Sequence, residues 1–360
     1  MLSTMVDNHF YWLTISFRQI TILPIYVAPF KQEIIMSLKD SVLLKLMENP
    51  GEFISGEDLS STMDVSRTAV WKAINSLRKE GHAIEAVTNK GYCLRLDPHT
   101  ITEGDLRSEL SSRYKDIEIH IFDTLDSTNT TAKQLALAGS PHGTVVMARS
   151  QSGGRGRLGR SFHSPKDGIY LSILIRPDFG SAYAGLVTTA AAVAVCDAVE
   201  TVCGLNAGIK WVNDIYVSGK KVCGILSEGM TDFETGRIES MIIGIGINTS
   251  IEGFPDELLE IAGAVEGEYS RSSLAADIIN KTLDFIDDIE SRHFIETYKE
   301  KSLVIGKDIT VYKGIYKNDP GEVPSRPARA LDIDDDGGLV VMYTDGSRET
   351  LISGEISIRL

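Results

Sequence analysis

The alternation of apolar and polar positions becomes regular only after residue 36, where it predicts three short helices. Apolar side chains recur at helical spacing over residues 42–47, and Pro50 stops that helix. Ser55 is placed to cap a second helix that runs to Met63, and Ser66 to cap a third helix over residues 67–80. The apolar face that the third helix is predicted to bury consists of Val70, Trp71, Ile74 and Leu77.

A hairpin is predicted after these helices, over residues 83–96, with Asn89-Lys90-Gly91 at its turn. Helices followed by a hairpin in this order predict a winged helix-turn-helix domain for residues 36–99. Basic side chains lie on the third helix and the hairpin, the two elements that would meet a DNA groove and its phosphates. The candidate DNA contacts are Arg67, Lys72, Arg78 and Lys90. A winged helix that binds another protein remains the alternative, because one fold hosts many functions.

From residue 100 the pattern changes to mixed α/β, and we assign residues 100–302 to a second domain. Strands are predicted over residues 117–122, 144–148, 169–175, 208–214 and 242–248, with a hairpin over residues 215–226. Residues 182–202 form an Ala/Val-rich helix that is apolar most of the way round and is therefore expected to be buried. Four strand-like runs follow within residues 303–360 and predict a small β-barrel as a third domain. The acidic turn at residues 334–336 lacks the glutamate of an EF-hand, so we expect a solvated turn rather than a calcium site.

Residues 1–35 follow neither helical nor strand periodicity, and we expect this extension to be disordered or not native. It has no secretion-signal pattern and no apolar run of the roughly 20 residues that span a bilayer. Residues 31–36 can be encoded by a purine-rich ribosome-binding sequence that ends in a methionine codon. Translation is therefore hypothesised to begin at Met36, which the intact mass of the natively expressed protein would test.

Composition and charge narrow the function classes. The 360 residues carry a formal net charge of −14, which argues against non-specific nucleic-acid binding by the whole molecule but not against a local basic face. The four cysteines form no Cys-x-x-Cys pair. With no secretion signal, reduced thiols, a cytoplasmic location and no membrane association are expected.

The most distinctive stretch is Gly153-Gly154-Arg155-Gly156-Arg157-Leu158-Gly159-Arg160, with four glycines and three arginines. Glycine lets a ligand approach the main chain, and arginine binds phosphate or carboxylate with two parallel hydrogen bonds. An anion clamp that orders around its ligand is predicted, with a solvated basic loop as the alternative. The stretch also fits Gly-x-Gly-x-x-Gly, but no helix is expected directly after it, so a dinucleotide-binding motif is rejected. A P-loop motif is absent from the sequence.

Further polar positions accompany this loop along the chain. Residues 127–129, Ser-Thr-Asn, begin a helix, and their ordinary role would be capping by Ser127 or Thr128. Gln151 and Phe162 flank the loop, and residues 210–214 form a polar corner at a strand end. Lys221 begins an apolar strand. A lysine at this position is usually exposed to solvent, and the alternative is that its side chain points into a cleft.

Taken together, these motifs resemble those of biotin–protein ligases. They are, in chain order, Leu125-Asp126-Ser127-Thr128-Asn129, Gln151, the glycine-arginine loop, Lys210-Trp211-Val212-Asn213-Asp214, Lys221-Val222-Cys223-Gly224-Ile225-Leu226 and Gly244-Ile245-Gly246-Ile247-Asn248. The winged helix is similar to that of the bifunctional type, which also represses biotin genes. The ending at residues 353–359 resembles the family's SH3-like domain. Two departures are Val212, where proline is common, and Phe162, where tryptophan is frequent; both bear on local loop geometry more than on the chemistry.

The resemblance implies an α+β fold with a winged helix-turn-helix, a central class II synthetase-like catalytic domain and a C-terminal SH3-like β-barrel. It implies that ATP and Mg²⁺ activate biotin as biotinyl-adenylate, and that the acyl group passes to a lysine of a biotin carboxyl carrier protein. The implied partners also include operator DNA and a second copy of the chain in a homodimer. No metal ligand among the side chains is predicted.

The resemblance also implies roles for individual residues. Implied biotin-binding residues are Ser127, Thr128, Asn129, Gln151, Arg155 and Lys221. Implied ATP- or adenylate-binding residues are Arg157, Arg160, Phe162, Lys210, Trp211, Asn213, Asp214, Asn248, Glu355 and Arg359. Implied catalytic residues are Lys221, Arg155 and Arg157. This assignment meets a physical need, because a carboxylate brought against a phosphate requires cations that neutralise the repulsion.

Two other functions stay open at the level of sequence. One is a lipoate ligase or acyltransferase on the same scaffold, against which the glycine-arginine loop and the corner at residues 210–214 argue. The other is a biotin-sensing transcription factor without ligase activity, against which Arg155 and Lys221 argue.

Overall fold

The computed structural model describes residues 37–79, 82–94, 100–232, 234, 236–312, 325–352 and 354–357. The expected N-terminal extension (residues 1–35) and the domain boundary near residue 99 lie outside these residues. The first domain contains α1 (Leu38–Met47), α2 (Gly56–Thr62), α3 (Arg67–Lys79), β1 (Ile84–Val87) and β2 (Gly91–Leu94), the last two paired antiparallel.

Serine caps start all three helices of this domain. The Ser55 hydroxyl accepts the Asp58 N–H at 2.9 Å, and the Ser66 hydroxyl accepts the Ala69 N–H at 3.2 Å. Each bond satisfies a helix-end donor that has no partner within the helix. The winged helix-turn-helix prediction is therefore confirmed, including two caps that it depended on.

The prediction for Trp71 is wrong. The face of α3 that packs into the domain core is made of Val70, Ala73, Ile74 and Leu77, whereas Trp71 is 55 % exposed. At about 100° per residue, position 71 lies between the buried and the solvent face, and the small Ala73 occupies the core position instead. The indole therefore lies on the outer surface of α3, beside Lys72.

The central domain is built on a seven-stranded mixed sheet. Its strands are β3 (Ile119–Leu125), β4 (Val145–Gln151), β5 (Ile169–Ile175), β6 (Ala207–Lys210), β7 (Asp214–Val217), β8 (Lys220–Thr231) and β9 (Ile238–Ile247). Its helices are α4 (Glu103–Glu109), α5 (Thr128–Ala138), α6 (Leu186–Cys203), α7 (Asp256–Leu259), α8 (Arg271–Asp287) and α9 (Phe294–Glu300). The strand order is β3-β4-β5-β9-β8-β7-β6, with β3 and β4 parallel and the other pairs antiparallel.

Strand alternation places helices on both faces of this sheet. Val146 and Leu174 point to the face that α5 covers, while their neighbours Met147 and Ile173 point to the face covered by α6 and α8. Helix α6 is buried along most of its length, as its composition predicts. It is also the one helix among the described residues that is long and apolar enough to cross a membrane, and it forms the centre of this core. The four cysteines are not paired with one another, and burial raises the pKa of the Cys223 thiol.

The C-terminal domain is a five-stranded antiparallel sheet. Its strands are β10 (Asp308–Tyr312), β11 (Ser325–Ile333), β12 (Leu339–Tyr343), β13 (Arg348–Leu351) and β14 (Glu355–Ser357), in the order β13-β12-β11-β10-β14. The acidic turn closes on itself, because Asp334 Oδ1 accepts the N–H groups of Asp336 and Gly338 at 3.0 and 2.7 Å. Among the described residues, no group of three or more His, Cys, Asp or Glu side chains could hold a metal ion.

This domain packs against the central one beside the polar corner. The Trp211 indole donates to the Gly337 carbonyl at 3.0 Å, and Arg292 pairs with Asp336 at 3.0 Å. The buried core runs without interruption from α6 into β10–β12. As a result, Gly354, directly before β14, faces the same cleft as the central sheet.

Candidate functional site

One cleft brings together most of the residues that the sequence singled out. It lies where β4, the start of α5, β8 and β9 meet the glycine-arginine loop, and it measures about 1020 Å³ with its open mouth included. Predicted site residues that line it are Ser127, Thr128, Asn129, Gln151, Arg155, Arg157, Arg160, Phe162, Lys210, Trp211, Asn213, Asp214 and Lys221. These positions are spread over nearly a hundred residues of sequence, so it is the fold, and not any single motif, that brings them together.

The glycine-arginine loop folds back on itself as a small hairpin. Phe162 N–H donates to the Gly154 carbonyl at 2.9 Å, and Gly156 N–H to the Arg160 carbonyl at 2.8 Å. A Cβ on Gly154 would lie 2.4 Å from the Phe162 carbonyl oxygen, so glycine is required there by close packing. The two ends of the loop are thereby fixed, and the three arginines project from the segment between them.

The N-terminus of α5, which begins at Thr128, is capped by a side chain from strand β4. Ser127 occupies the N-cap position, but its side chain makes no capping hydrogen bond, so the prediction that Ser127 or Thr128 caps this helix is wrong. Instead, Gln151 Oε1 accepts the Thr128 N–H at 2.8 Å, while Gln151 Nε2 donates to Ser164 Oγ at 3.0 Å. Since Gln151 performs the capping, the Ser127 side chain is left to line the cleft.

Residues that the sequence analysis missed support this wall from behind. Asn129 Nδ2 donates to Glu228 Oε2 at 2.8 Å, Lys133 Nζ lies 2.6 Å from Glu228 Oε1, and Ser172 Oγ lies 2.7 Å from Asn129 Oδ1. Burial disfavours the charged form of Glu228, but the hydrogen bonds from Lys133 and Asn129 outweigh it and lower the pKa of this carboxyl. The only signal in the sequence was a serine inside the otherwise apolar strand β5.

The Phe162 ring packs against glycines on β8 and β9. A Cβ on Gly224 would lie 3.0 Å from the Phe162 ring, and one on Gly246 would lie 2.6 Å from it. Gly244, also on β9, leaves room for Asn129, whose Oδ1 would be 2.1 Å from an added Cβ. The glycines of β9 are therefore needed for packing against the cleft wall.

The polar corner after β6 supplies the opposite wall. Lys221 Nζ pairs with Asp214 Oδ1 at 2.6 Å, which places this lysine in the cleft rather than at a solvated strand end. Asn213 Nδ2 donates to the Ile225 carbonyl at 2.9 Å, and Asn213 Oδ1 accepts from Arg157 Nη1 at 3.1 Å. Arg157 also donates to the Gly354 carbonyl at 3.3 Å, so one side chain links the loop, the corner and the C-terminal domain.

Some predicted site residues lie elsewhere. Asn248 is buried outside the cleft lining, where its Nδ2 donates to the Gly263 carbonyl at 3.0 Å and fixes the chain after β9. The Glu355 side chain and Arg359 lie outside the described residues. Of the candidate DNA contacts, Arg67, Lys72, Arg78 and Lys90 are all exposed. Arg78 has a structural contact as well, because its Nε donates to the Ile84 carbonyl at 2.7 Å.

The charge of the cleft suits a polyanionic ligand. Its described lining carries three loop arginines together with Lys210 and Lys221, and Asp214 is its one acidic residue. The apolar Phe162 and Trp211 stand beside these cations. Cationic groups that converge on a partly enclosed site stabilise phosphate and carboxylate charge far more than they do in water.

The sequence matches three family models that follow the three domains in order. Residues 39–93 match an HTH domain, residues 121–248 match the biotin/lipoate A/B protein ligase family, and residues 323–359 match a biotin protein ligase C-terminal domain. The central match contains the loop and every cleft residue from β3 to β9.

Similar proteins agree with this assignment. The chain is 43% identical over 245 residues to the bifunctional ligase/repressor BirA of Bacillus subtilis, which covers 67% of this chain and 75% of the relative. It is 27% identical to BirA of Escherichia coli, over 88% of this chain and 96% of the relative. Biotin protein ligase from Aquifex aeolicus, solved in complex with biotin and ATP, aligns with a TM-score of 0.54 at 25% identity, over 67% of this chain and 98% of that one. The chain therefore belongs to the biotin protein ligases, and within them to the bifunctional ligase/repressors that carry an N-terminal helix-turn-helix domain.

Proposed function

We propose that the cleft binds biotin along the wall formed by Ser127, Thr128 and Gln151, and ATP along the wall formed by Trp211 and Asn213. The observation that supports this proposal is that Lys221 and the loop arginines lie in the same cleft, where the two ligands would meet. Biotin's carboxylate and the α-phosphate of ATP are both anions, and they must meet where cations are densest.

The reaction has two steps in this arrangement. A biotin carboxylate oxygen attacks the α-phosphorus and pyrophosphate leaves with its bonding electrons, which gives the mixed anhydride biotinyl-adenylate. The neutral lysine amine of a biotin carboxyl carrier protein then attacks the acyl carbon, AMP leaves with the electrons of the broken C–O bond, and the nitrogen releases a proton to solvent to give the amide. Lys221 and Arg155 stabilise charge at the reacting carboxylate and α-phosphate, while Arg157 and Arg160 neutralise the phosphates. The loop shields the anhydride from water, because hydrolysis would waste it.

Mg²⁺ would enter this site with ATP. Mg²⁺ is commonly held by one or two carboxylates together with substrate phosphates. In the described cleft lining, the carboxylate that would hold it is that of Asp214. When bound, the ion would neutralise phosphate charge.

The N-terminal domain supports a second activity at DNA. Arg67 and Lys72 project from the exposed side of α3, and Lys90 from the hairpin tip, so cations face outward from both elements that would meet a groove. We infer that the chain binds a two-half-site operator as a homodimer when biotinyl-adenylate is bound. Its half-site spacing should then follow the DNA helical repeat or the reach of the dimer.

One experiment tests the ligase assignment directly. The purified chain is incubated with ATP, Mg²⁺ and a biotin carboxyl carrier domain, with labelled biotin in one arm and labelled lipoate in the other. ATP-dependent transfer of biotin alone is expected. Transfer of lipoate instead, or no transfer of either, would overturn the proposed substrate.

A further inference from the structure

Hydrogen bonds connect the biotin-side wall to Glu228, a residue of β8 that does not line the cleft. Glu228 Oε2 accepts from Asn129 Nδ2 at 2.8 Å, and Asn129 Oδ1 lies 2.7 Å from Ser172 Oγ. Ser172 Oγ in turn lies 2.8 Å from Thr128 Oγ1, which lines the cleft. Asn129, Ser172 and Thr128 are all buried, so water does not provide them with easy substitutes.

Glu228 fixes which way the Asn129 amide points. An ionised carboxylate has no proton to donate, so the group that faces it must be the amide nitrogen. Asn129 Nδ2 also approaches the Leu226 carbonyl, but at 3.3 Å, a weaker contact than the 2.8 Å bond to Glu228. The Asn129 side chain has no space to shift sideways, because it packs against Gly244. Its Oδ1 is therefore held toward Ser172.

This orientation determines where the hydroxyl protons go. Asn129 Oδ1 has no proton and must accept, so the single proton of Ser172 is donated to it. A 2.8 Å contact between two hydroxyl oxygens needs a proton between them, so Thr128 donates to Ser172, and the longer 3.1 Å contact between Thr128 Oγ1 and Gln151 Oε1 is not the one that carries the proton. The Thr128 proton is therefore used within the protein. The Thr128 oxygen is left with lone pairs for the cleft and acts there as a hydrogen-bond acceptor.

We propose that Glu228 is a positioning residue that, through Asn129 and Ser172, makes the Thr128 hydroxyl an obligatory acceptor and so selects ligands with an N–H donor at that point. The cyclic urea of biotin presents such N–H groups. The inference rests on the proposed placement of biotin along this wall. Glu228 acts here as an acceptor for Asn129, not through its charge, and its ion pair with Lys133 is an accessory contact.

Three variants separate the acceptor from the charge. Glu228→Met removes both, the double variant Glu228→Gln/Lys133→Met removes the charge but keeps an acceptor oxygen for Asn129 with no lysine competing for it, and Lys133→Met removes only the ion pair. We expect Glu228→Met to raise the Kd for biotin about tenfold, the scale of one hydrogen bond that the ligand loses when the Thr128 hydroxyl is no longer held as an acceptor. Glu228→Gln/Lys133→Met and Lys133→Met should stay within about threefold, since a partly exposed ion pair contributes little. The KM for ATP should not change in any variant, because no link of the chain reaches the corner at residues 210–214.

The ratio of the Kd values for an isosteric analogue and for biotin would not change if the variant merely lost stability. In the cyclic carbamate analogues of biotin, one ring N–H is replaced by oxygen, which turns a donor into an acceptor. Wild type should bind the matching isomer at least about a hundredfold more weakly than biotin, as sites built around one donor do. In Glu228→Met the Asn129 amide and the hydroxyls are free to reorient, so this ratio should fall to about tenfold or less.

Each outcome decides between the interpretations. If Glu228→Gln/Lys133→Met weakens biotin binding as much as Glu228→Met, the charge matters and the proposed orientation is wrong. An unchanged carbamate ratio in Glu228→Met overturns it as well. If wild type itself binds neither biotin nor the analogues, the proposed function fails, and that result is distinct from both.

Discussion

Replacing Lys221 by glutamine removes the cation that we place on the reacting anions while keeping most of the side-chain length. In the structure, Lys221 Nζ lies 2.6 Å from Asp214 Oδ1, and the two side chains are 32 % and 22 % exposed. An ion pair with this access to water contributes at most about 1 kcal/mol to stability. The variant should therefore fold, with a free energy of unfolding within about 1 kcal/mol of wild type.

The effect on the reaction should be much larger. Loss of a charge-assisted hydrogen bond costs about 1.5–3 kcal/mol in ordinary settings, and loss of one donor to a charge that develops in the transition state lowers rates by about 10²–10³-fold. We expect adenylate formation to slow by that factor. Biotin-dependent exchange of labelled pyrophosphate into ATP measures this step without the carrier protein.

The neighbouring lysine provides a matched control. Lys220 is exposed, lies outside the cleft lining, and donates to the Leu259 carbonyl at 3.0 Å. Lys220→Gln makes the same chemical change one position away and should leave the exchange rate within about twofold. If Lys221→Gln retains a rate close to that of the control, Lys221 does not stabilise the reacting anions and the proposed mechanism is refuted.

Three further predictions follow from the same geometry. Arg155→Gly removes a loop cation that we expect to hold the adenylate. The half-life of bound biotinyl-adenylate should therefore shorten, and unrelated lysine-rich proteins should become biotinylated. If the variant retains its adenylate as long as wild type and labels the carrier alone, the anion-clamp interpretation is wrong. Gly246→Ala places a Cβ 2.6 Å from the Phe162 ring, an overpacking that costs about 1–3 kcal/mol. Because Phe162 is assigned to ATP binding, this variant should raise the KM for ATP. The control Gly180→Ala adds a methyl group in open space and should leave the KM for ATP unchanged. Arg67→Ala should weaken operator binding in a gel-shift assay while the ligation rate stays normal, and unchanged DNA affinity would exclude this residue from the interface.

Local sequence was enough to predict the elements. Caps such as Ser55 and Ser66, the break at Pro50 and the turn at residues 89–91 act over a few neighbouring residues, so their effect is readable in the chain itself. The all-round apolar composition of residues 182–202 likewise predicted burial, because such a helix has no polar face for water. The set of cleft residues came from a resemblance in motif order, not from spacing.

Tertiary structure decided which partners these residues have. Ser127 has the residue type of a cap, yet the cap comes from Gln151 on another strand. Asn248 has the residue type of a ligand contact, yet it fixes the segment after β9. Trp71 follows the helical period only approximately, and its position out of the core depended on how α3 rests on its neighbours.

The only local sign of Ser172 was a serine in an otherwise apolar strand, and Glu228 had none, since their roles depend on partners 43 and 99 positions away along the chain. A hydrogen bond is short-ranged and directional, so it forms only after packing has brought donor and acceptor within about 3 Å. Sequence thus determined which segments become helix, strand and loop, and it supplied the cations of the cleft. Only the packed sheet determined which side chains meet there and in which direction their protons point.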